Sequence, residues 1–195
     1  MKPPRRQAHS DRDARVQTRE PVFHLRRARP TDLPLLLEHR HKMWRDIGGW
    51  REPQLRKSLP AYRRWVRAEW RRGKFLAYLA IDREGMALGS GAIWLFPTHP
   101  RVQRFTRELP YVLSMYTERR ARGQGIATAI VQKCIEWAER HHYPRLVLHA
   151  SKMGMPVYER LGFVLGREMR LDLPRRKGIG GRHSRPPKAR KVKRR

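Results

Sequence analysis

The sequence predicts a single mixed α/β domain over residues 22–173, in which a central sheet of about six to seven strands packs against about four helices. Two observations predict this class. Short runs that mix β-branched, aromatic and apolar residues, such as 111–117, are typical of strands. Longer segments, such as 126–138, repeat apolar residues at the period of a helix with one buried face. The 195 residues are enough for one hydrophobic core, and the predicted order is β-αα-βββ-α-β-α-β.

The first three elements are one strand and two helices. Residues 23–28 alternate in polarity, which predicts a strand. A helix follows, with Thr31 as its N-cap and Gly48–Gly49 as its end. A second helix is predicted over 60–72, because aromatic and apolar residues recur there at helical spacing before Gly73.

The middle of the chain predicts three strands and the third helix. Segments 74–82 and 86–96 are predicted to form a hairpin that turns at Arg-Glu-Gly. The strand at 111–117 follows, and then a helix whose apolar face contains Ile126, Ile130 and Cys134.

The last elements are short. Residues 145–150 predict a fifth strand, after the helix has ended at His-His-Tyr-Pro. One or two helical turns over 157–162 end at Gly162, and 163–173 predicts one or two further strands.

Positive charge dominates the composition. The formal net charge is +29, and residues 22–173 alone carry +15. Residues 1–21 and 174–195 lack core-forming residues, so we expect a disordered basic arm and a disordered polybasic tail. The tail predicts salt-dependent, sequence-independent association with nucleic acid, although a solvated tail without a specific partner explains the same charge. In a eukaryotic source it would also resemble a nuclear-import signal.

The sequence contains no pattern typical of a membrane protein or of a metal-binding protein. No apolar run approaches the ~18 residues that cross a bilayer, and the N-terminus lacks the apolar segment of a secretory signal. We therefore expect a cytoplasmic protein without a membrane span. Cys134 lies on the apolar helix face, which predicts a buried thiol, and no His/Cys cluster predicts a metal site.

A glycine-containing turn joins the 111–117 strand to the third helix. Such a turn presents backbone N–H groups and the positive end of the helix dipole to a bound anion. It is not a P-loop, because Ile126 follows Gly125 where Lys and Ser/Thr are needed. Thr128 stands where a dinucleotide fingerprint needs Gly or Ala. A phosphate-binding loop and a solvated basic turn both fit these residues alone.

Two linked motifs resemble the Gcn5-related N-acetyltransferase (GNAT) family. Arg-Ala-Arg-Gly-Gln-Gly-Ile-Ala at 120–127 is similar to the family's acyl-CoA pyrophosphate motif, R/Q-x-x-G-x-G/A. The strand at 146–151 and Val-Tyr-Glu-Arg-Leu-Gly-Phe at 157–163 resemble its second signature, and 25–33 resembles its opening strand and helix. The resemblance spans about 22–173. It implies a GNAT-like fold, acetyl-CoA as cosubstrate, no metal, and direct attack of a primary amine on the thioester in a ternary complex.

The resemblance also implies which residues bind the cofactor. Backbone N–H groups of the loop and the Arg120 side chain would bind the pyrophosphate. Main-chain groups of residues 115–117 would hold the pantetheine arm and polarise the thioester carbonyl. Ser151 stands where many members have Asn. The implied set is Met115, Tyr116, Thr117, Arg120, Arg122, Gly123, Gln124, Gly125, Ile126, Ala127 and Ser151.

The catalytic groups are implied in the same way. Tyr158 matches the family's general acid, which would protonate the leaving CoA thiolate, while packing against neighbouring apolar side chains is its alternative role. Glu108 is the nearest match to the family's general base. Glu118 lies beside the arginine loop, where ion pairing is the expected role. Histidine is a common catalytic base, but His149 lies alone on an apolar strand, where a hydrogen-bonded core residue is the expected role.

The acceptor site implied by the resemblance is framed by residues 31–72 and the last strands. The tryptophans there predict either an aromatic pocket or a core in which Trp44 and Trp65 are packed. The acceptor, a small-molecule or protein amine, is not assigned, and a monomer or a homodimer is expected. The alternative is a catalytically silent GNAT-fold module that associates with nucleic acid or ribosomes through its basic surface and residues 174–195. Tyr158 and the two glycines favour the enzyme, because a phosphate patch needs neither.

Overall fold

The structure, a computed structural model, describes residues 23–100, 107–169 and 171. Within them it confirms one mixed α/β domain and the predicted order of elements from the first strand to the fourth helix. The predicted arm at 1–21 and the tail at 174–195 lie outside the described residues. So do three residues of the predicted last strand, 170, 172 and 173.

Five strands of the described residues form one sheet in the order β1-β2-β3-β4-β5. The first four strands pair antiparallel, and β5 pairs parallel to β4. None of the described helices has the length and apolarity that a bilayer crossing requires. The strands are β1 (His24–Arg27), β2 (Phe75–Ile81), β3 (Ala87–Pro97), β4 (Glu108–Thr117) and β5 (Val147–Leu148), and the helices are α1 (Leu33–Ile47), α2 (Glu52–Arg71), α3 (Ile126–Arg140) and α4 (Met155–Arg160).

The sheet separates two hydrophobic clusters. On the face that α1 and α2 cover, which we call the α1/α2 face, Leu36 and Val66 pack against Leu79 of β2. On the opposite face, the α3 face, Ile130 and Cys134 pack against the other side of the sheet. β2 is buried on both faces because its successive side chains alternate between the two clusters. Cys134 is a buried thiol, and burial raises its pKa to about 12.

α2 begins at Glu52, eight residues before the predicted start at 60. Pro60 concealed this first part of the helix, whereas Pro53 is compatible with a helix start. Pro53 lies in the first turn, where a missing N–H costs nothing, while Pro60 lies inside the helix, where proline usually ends one. The Ser58 hydroxyl donates a hydrogen bond to the Leu55 carbonyl at 2.7 Å in this segment.

The predicted count of six to seven strands is too high for the described residues. β5 has two residues instead of six, and residues 163–169 form no strand. The apolar side chains of this segment at Val164, Leu165 and Met169 are 89%, 80% and 95% exposed. The segment has the composition of a strand, but no neighbouring strand pairs with it within the described part of the chain.

Candidate functional site

The loop between β4 and α3 leads into a helix N-terminus without a side-chain cap. Gly123 and Gly125 have φ angles of +80° and +78°, and Gly125 immediately precedes α3. Among the described residues, no backbone carbonyl accepts a hydrogen bond from an N–H of residues 123–128. A Cβ placed on either glycine would meet no atom within 4 Å, so the loop faces open space. The loop therefore presents consecutive backbone donors to an anion at the positive end of the α3 dipole.

Three arginines surround this loop, and a carboxylate of α1 pairs with two of them. Arg119 Nη2 lies 2.6 Å from Asp46 Oδ1, and Arg122 forms an ion pair with the other oxygen of Asp46. The hydrogen bond from Arg119, followed by the one from Arg122, lowers the pKa of the Asp46 carboxyl. Arg120 extends into solvent, with Asp82 at 3.8 Å. Arg120 is therefore available to a ligand at the loop, while Asp46 fixes the other two.

β4 carries a bulge at the point where it separates from β5. Two residues, Ser114 and Met115, lie opposite Gly91 of β3, and Ser114 has a φ of +54°. β5 pairs with β4 only at Tyr111 and Val112. Beyond Val112, no strand of the described residues covers that edge of β4. Its main-chain groups therefore line an opening that leads towards the glycine loop.

Gly91 makes room for the bulge. A Cβ on this glycine would lie 2.7 Å from Ile130 Cγ2 and would overlap the sulfur of Met115. The bulge can occupy its position against α3 only because residue 91 has no side chain.

Tyr158 lies in α4, and its ring centroid is 5.9 Å from that of Phe163. Burial raises its pKa to about 12, so its hydroxyl is protonated at neutral pH. The side chains of Cys134 in α3 and Tyr111 in β4 raise this pKa further, by smaller electrostatic effects. The phenol is therefore in its protonated form at neutral pH, and α4, which carries it, packs against α3.

Two other predicted residues have structural partners near Tyr158. Ser151 Oγ accepts a hydrogen bond from the Gly154 N–H at 3.1 Å and so shapes the turn before α4. His149 is exposed and its Nδ1 is hydrogen-bonded to the Tyr111 hydroxyl. His149 is thus not a core histidine.

The predicted base Glu108 is the first residue of β4, and its carboxylate forms an ion pair with Lys74. Ser114 lies six positions further along the strand, which corresponds to about 20 Å. A role as base would require the pair with Lys74 to open, and this role stays a prediction. Glu118 is ion-paired, as expected, with its carboxylate 2.7 Å from Lys42 Nζ.

The residues that cover the bulge on the α1/α2 face were not predicted from the sequence. Arg40 donates from Nη1 to Ser114 Oγ at 2.9 Å, and its guanidinium lies 3.7 Å from the ring centroid of Tyr62. The i,i+4 spacing of Arg40 and Trp44 placed both on one side of α1, but only the tertiary fold shows that this side faces β4. Trp65 packs with the core as one interpretation predicted, whereas Trp44 contacts Arg40 and Trp50.

No group of three or more His, Cys, Asp or Glu side chains within the described ranges is arranged to hold a metal ion. The candidate site is thus made of backbone donors, arginines, Tyr158 and the bulge of β4.

Comparison with known proteins identifies relatives for this arrangement. The model of the acetyltransferase (GNAT) family matches residues 44–163. A search of curated proteins finds no match. A GCN5-related N-acetyltransferase from Ralstonia eutropha superposes with a TM-score of 0.71 at 23% identity, over 77% of this chain and 98% of that one.

Two other solved structures are similar. A predicted acetyltransferase from Clostridium acetobutylicum, solved with acetyl-CoA, has a TM-score of 0.69 at 27% identity, over 78% of this chain and 96% of that one. An aminoglycoside 6'-N-acetyltransferase from Acinetobacter haemolyticus has a TM-score of 0.59 at 15% identity, over 78% and 98% of the two chains. At such identities the first and last of these three support the fold alone.

Proposed function

The chain belongs to the GNAT acetyltransferase family, and on that premise we propose that it is an N-acetyltransferase that moves the acetyl group of acetyl-CoA to a primary amine. The transfer would occur by direct attack in a ternary complex. The observation that carries the proposal is the glycine loop, whose backbone N–H groups at 123–128 have no backbone acceptor among the described residues.

The loop fits the pyrophosphate of coenzyme A. Two glycines with positive φ leave the backbone accessible, and Arg120 adds a cation that is not fixed by Asp46. From there the uncovered edge of β4 at 115–117 would hold the pantetheine arm, as the family resemblance implies. The N–H of Met115 or Tyr116 would polarise the thioester carbonyl.

The reaction forms a bond between the amine nitrogen and the acetyl carbon and breaks the carbon–sulfur bond, so CoA leaves as a thiolate. Tyr158 would donate its hydroxyl proton to this sulfur. Its pKa of about 12 keeps the proton in place at neutral pH, but it also makes transfer to a thiolate less favourable than an ordinary phenol would. The ammonium of the acceptor must lose a proton to solvent or to a base, for which Glu108 is the proposed group.

The test is a calorimetric titration of acetyl-CoA into the protein at about 0.3 M salt, where weak attraction between surface charges is screened. A Gly125→Trp variant would fill the open space of the loop. Gly85→Trp is its matched control, because Gly85 also has a positive φ, of +81°, and a Cβ placed on it would likewise meet no atom within 4 Å. Gly85 lies in the β2–β3 turn, away from the loop.

We expect one-to-one binding that is abolished in Gly125→Trp and kept in Gly85→Trp. Release of CoA thiol with a panel of primary amines would then establish transfer. Binding that disappears at 0.3 M salt, or that survives the blocked loop, would exclude the proposed cofactor site.

One observation favours the alternative, a nucleic-acid-associated module. α2 exposes a group of arginines on its outer face, namely Arg56, Arg63, Arg64 and Arg67. Such a row attracts polyanions without reading sequence. Anisotropy of a labelled RNA oligonucleotide, measured at 0.05 M and 0.3 M salt, separates the two functions. Binding that persists at 0.3 M, together with no thiol release from acetyl-CoA, would favour the silent module.

A further inference from the structure

Arg40 is a partly buried cation without a carboxylate partner among the described residues. It lies in the middle of α1, under the rings of Trp44 and Tyr62, at 5.5 Å and 3.7 Å from their centroids. Its neighbours are neutral: the Ser114 hydroxyl accepts from Nη1, and the Tyr62 hydroxyl lies 3.0 Å from the same Ser114 oxygen. Burial lowers the pKa of its guanidinium, against the smaller opposing effect of Tyr62.

Three charged side chains of α1 near Arg40, namely Glu38, Lys42 and Asp46, are ion-paired with other residues. Asp46 pairs with Arg119, and Lys42 pairs with both Glu38 and Glu118. A guanidinium carries five N–H donors, and removing one from water is costly unless an anion compensates it. Arg40 therefore contributes a positive charge that no carboxylate of the described residues balances, beside two aromatic rings.

The position of Arg40 relates this charge to the proposed reaction. Ser114 and Met115 form the bulge, and they face opposite sides: Ser114 contacts Arg40 on the α1/α2 face, while Met115 packs against the α3 face. Tyr158 and the glycine loop belong to the α3 face, where acetyl-CoA would lie. A second reactant that approaches the thioester from the α1/α2 face would therefore meet Arg40, which contacts the bulge directly at Ser114.

We propose that the acceptor is an amine that also carries a carboxylate, such as an amino acid, and that Arg40 binds this carboxylate from the α1/α2 face. This inference rests on the proposed acetyl transfer and specifies its substrate class. A planar guanidinium can donate two parallel hydrogen bonds to the two oxygens of a carboxylate. The rings of Trp44 and Tyr62 would contact the aliphatic or aromatic part of the acceptor.

The experiment compares each of a panel of L-amino acids with its carboxamide, which has the same amine and side chain but no negative charge. The full-length protein is supplied with acetyl-CoA, and thiol release gives kcat/KM for each member of a pair. Binding is also measured without turnover, from tryptophan fluorescence on titration of the same compounds in the presence of CoA. The variants are Arg40→Gln and Arg40→Lys, and Arg64→Gln on the exposed face of α2 is the control for net charge.

We expect the wild type and Arg64→Gln to prefer the amino acid over its amide by roughly 10- to 100-fold, the effect of one hydrogen-bonded charge pair. Arg40→Gln should abolish this preference, and Arg40→Lys should keep part of it because the charge remains. If Arg40→Gln does not fold, the wild type and Arg40→Lys still test the inference. The preference for the amino acid over its amide must then be present in the wild type and reduced in Arg40→Lys.

Three results would overturn the inference. One is equal use and equal binding of acids and amides by the wild type. The second is an equal loss of kcat for both members of each pair in Arg40→Gln, since that would mean that Arg40 acts on the thioester. The third is a failure of every panel member to react or bind. Calorimetry with acetyl-CoA distinguishes these results from failure of the proposed function, because cofactor binding would persist in all three.

Discussion

Asp46, in the last turn of α1, accepts a hydrogen bond from Arg119 Nη2 at 2.6 Å, and this contact joins the first helix to the glycine loop. The Asp46 side chain is only 5% exposed, although its partner is largely in solvent. The loop that would hold the pyrophosphate is thus fixed from the α1 side by a carboxylate distant in sequence.

We predict that Asp46→Asn weakens the acid dependence of stability. The pKa of Asp46 is lowered in the folded chain. The ionised carboxylate therefore contributes its full stabilisation of the fold above the unfolded pKa of about 3.9, and this stabilisation is lost as pH falls through the lower folded pKa. Urea unfolding at pH 7 and pH 3 measures this. The loss of stability between the two pH values should be smaller in the variant. An equal loss in both proteins would show that the ion pair contributes nothing.

Replacing Tyr158 with Phe should lower kcat by about 100-fold or more, while the affinity for acetyl-CoA changes little, because a proton donor to sulfur acts mainly during the reaction. In the wild type, burial keeps the phenol protonated up to a pH near its pKa of about 12. Activity should therefore show no decline with a pKa near 10. Tyr143→Phe is the control. A Phe variant with wild-type kcat would restrict Tyr158 to packing.

Gly91→Ala should destabilise the fold by about 1–3 kcal/mol, as overpacking typically does. The added methyl would lie 2.7 Å from Ile130 Cγ2 and overlap the Met115 side chain. Displacement of the bulge should also weaken acetyl-CoA binding. Gly166→Ala, where a Cβ meets nothing within 4 Å, should leave both properties unchanged. Urea unfolding and calorimetry are the measurements, and a Gly91→Ala protein as stable as the Gly166→Ala protein would contradict the argument.

His39 should make the protein less stable in mild acid. It is 1% exposed, its Nδ1 lies 2.9 Å from Ser90 Oγ, and burial lowers its pKa against the opposing charge of Glu118. The neutral form of His39 is therefore favoured in the folded state. Its contribution to the stability of the fold is complete above the unfolded pKa of about 6.5 and is lost as pH falls below that value. Lys42, which faces the same carboxylate, lowers the pKa of His39 further, and Glu38 raises it.

Urea midpoints at pH 7.5 and pH 5 test this expectation. His39→Gln keeps a polar group near Ser90 but does not titrate, so its two midpoints should differ less than those of the wild type. An unchanged difference would assign the acid sensitivity to other groups.

Local patterns were sufficient for much of the fold. The hairpin of β2 and β3 and the start of α3 at Ile126 follow the predicted boundaries to within about one residue, because alternation and helical periodicity are properties of neighbouring residues. The predicted start of α2 was wrong, because the sequence pattern places the beginning of the helix at Pro60. In the fold the helix continues through Pro60, and Leu55, before the proline, is buried. Residues 163–169 of the predicted last strand also form no strand, since pairing requires a neighbour that no local pattern reveals.

The candidate site divides in the same way. The glycine loop was predictable because its donors, glycines and helix start lie within ten residues of one another. The ion pair of Asp46 with Arg119 and the contact of Arg40 with Ser114 connect residues more than 70 positions apart. Nothing in the spacing of either pair predicts it, since each depends on how α1 crosses β4.

The partition of the core by the sheet has a consequence for engineering. Side chains of the α1/α2 cluster and of the α3 cluster are separated by the thickness of the strands, and distant substitutions without shared partners usually have additive effects. The lining around Arg40 could therefore be redesigned without re-optimising the surroundings of α3. The exceptions are the bulge residues Ser114 and Met115, where the two sides meet and where combined substitutions should depart from additivity.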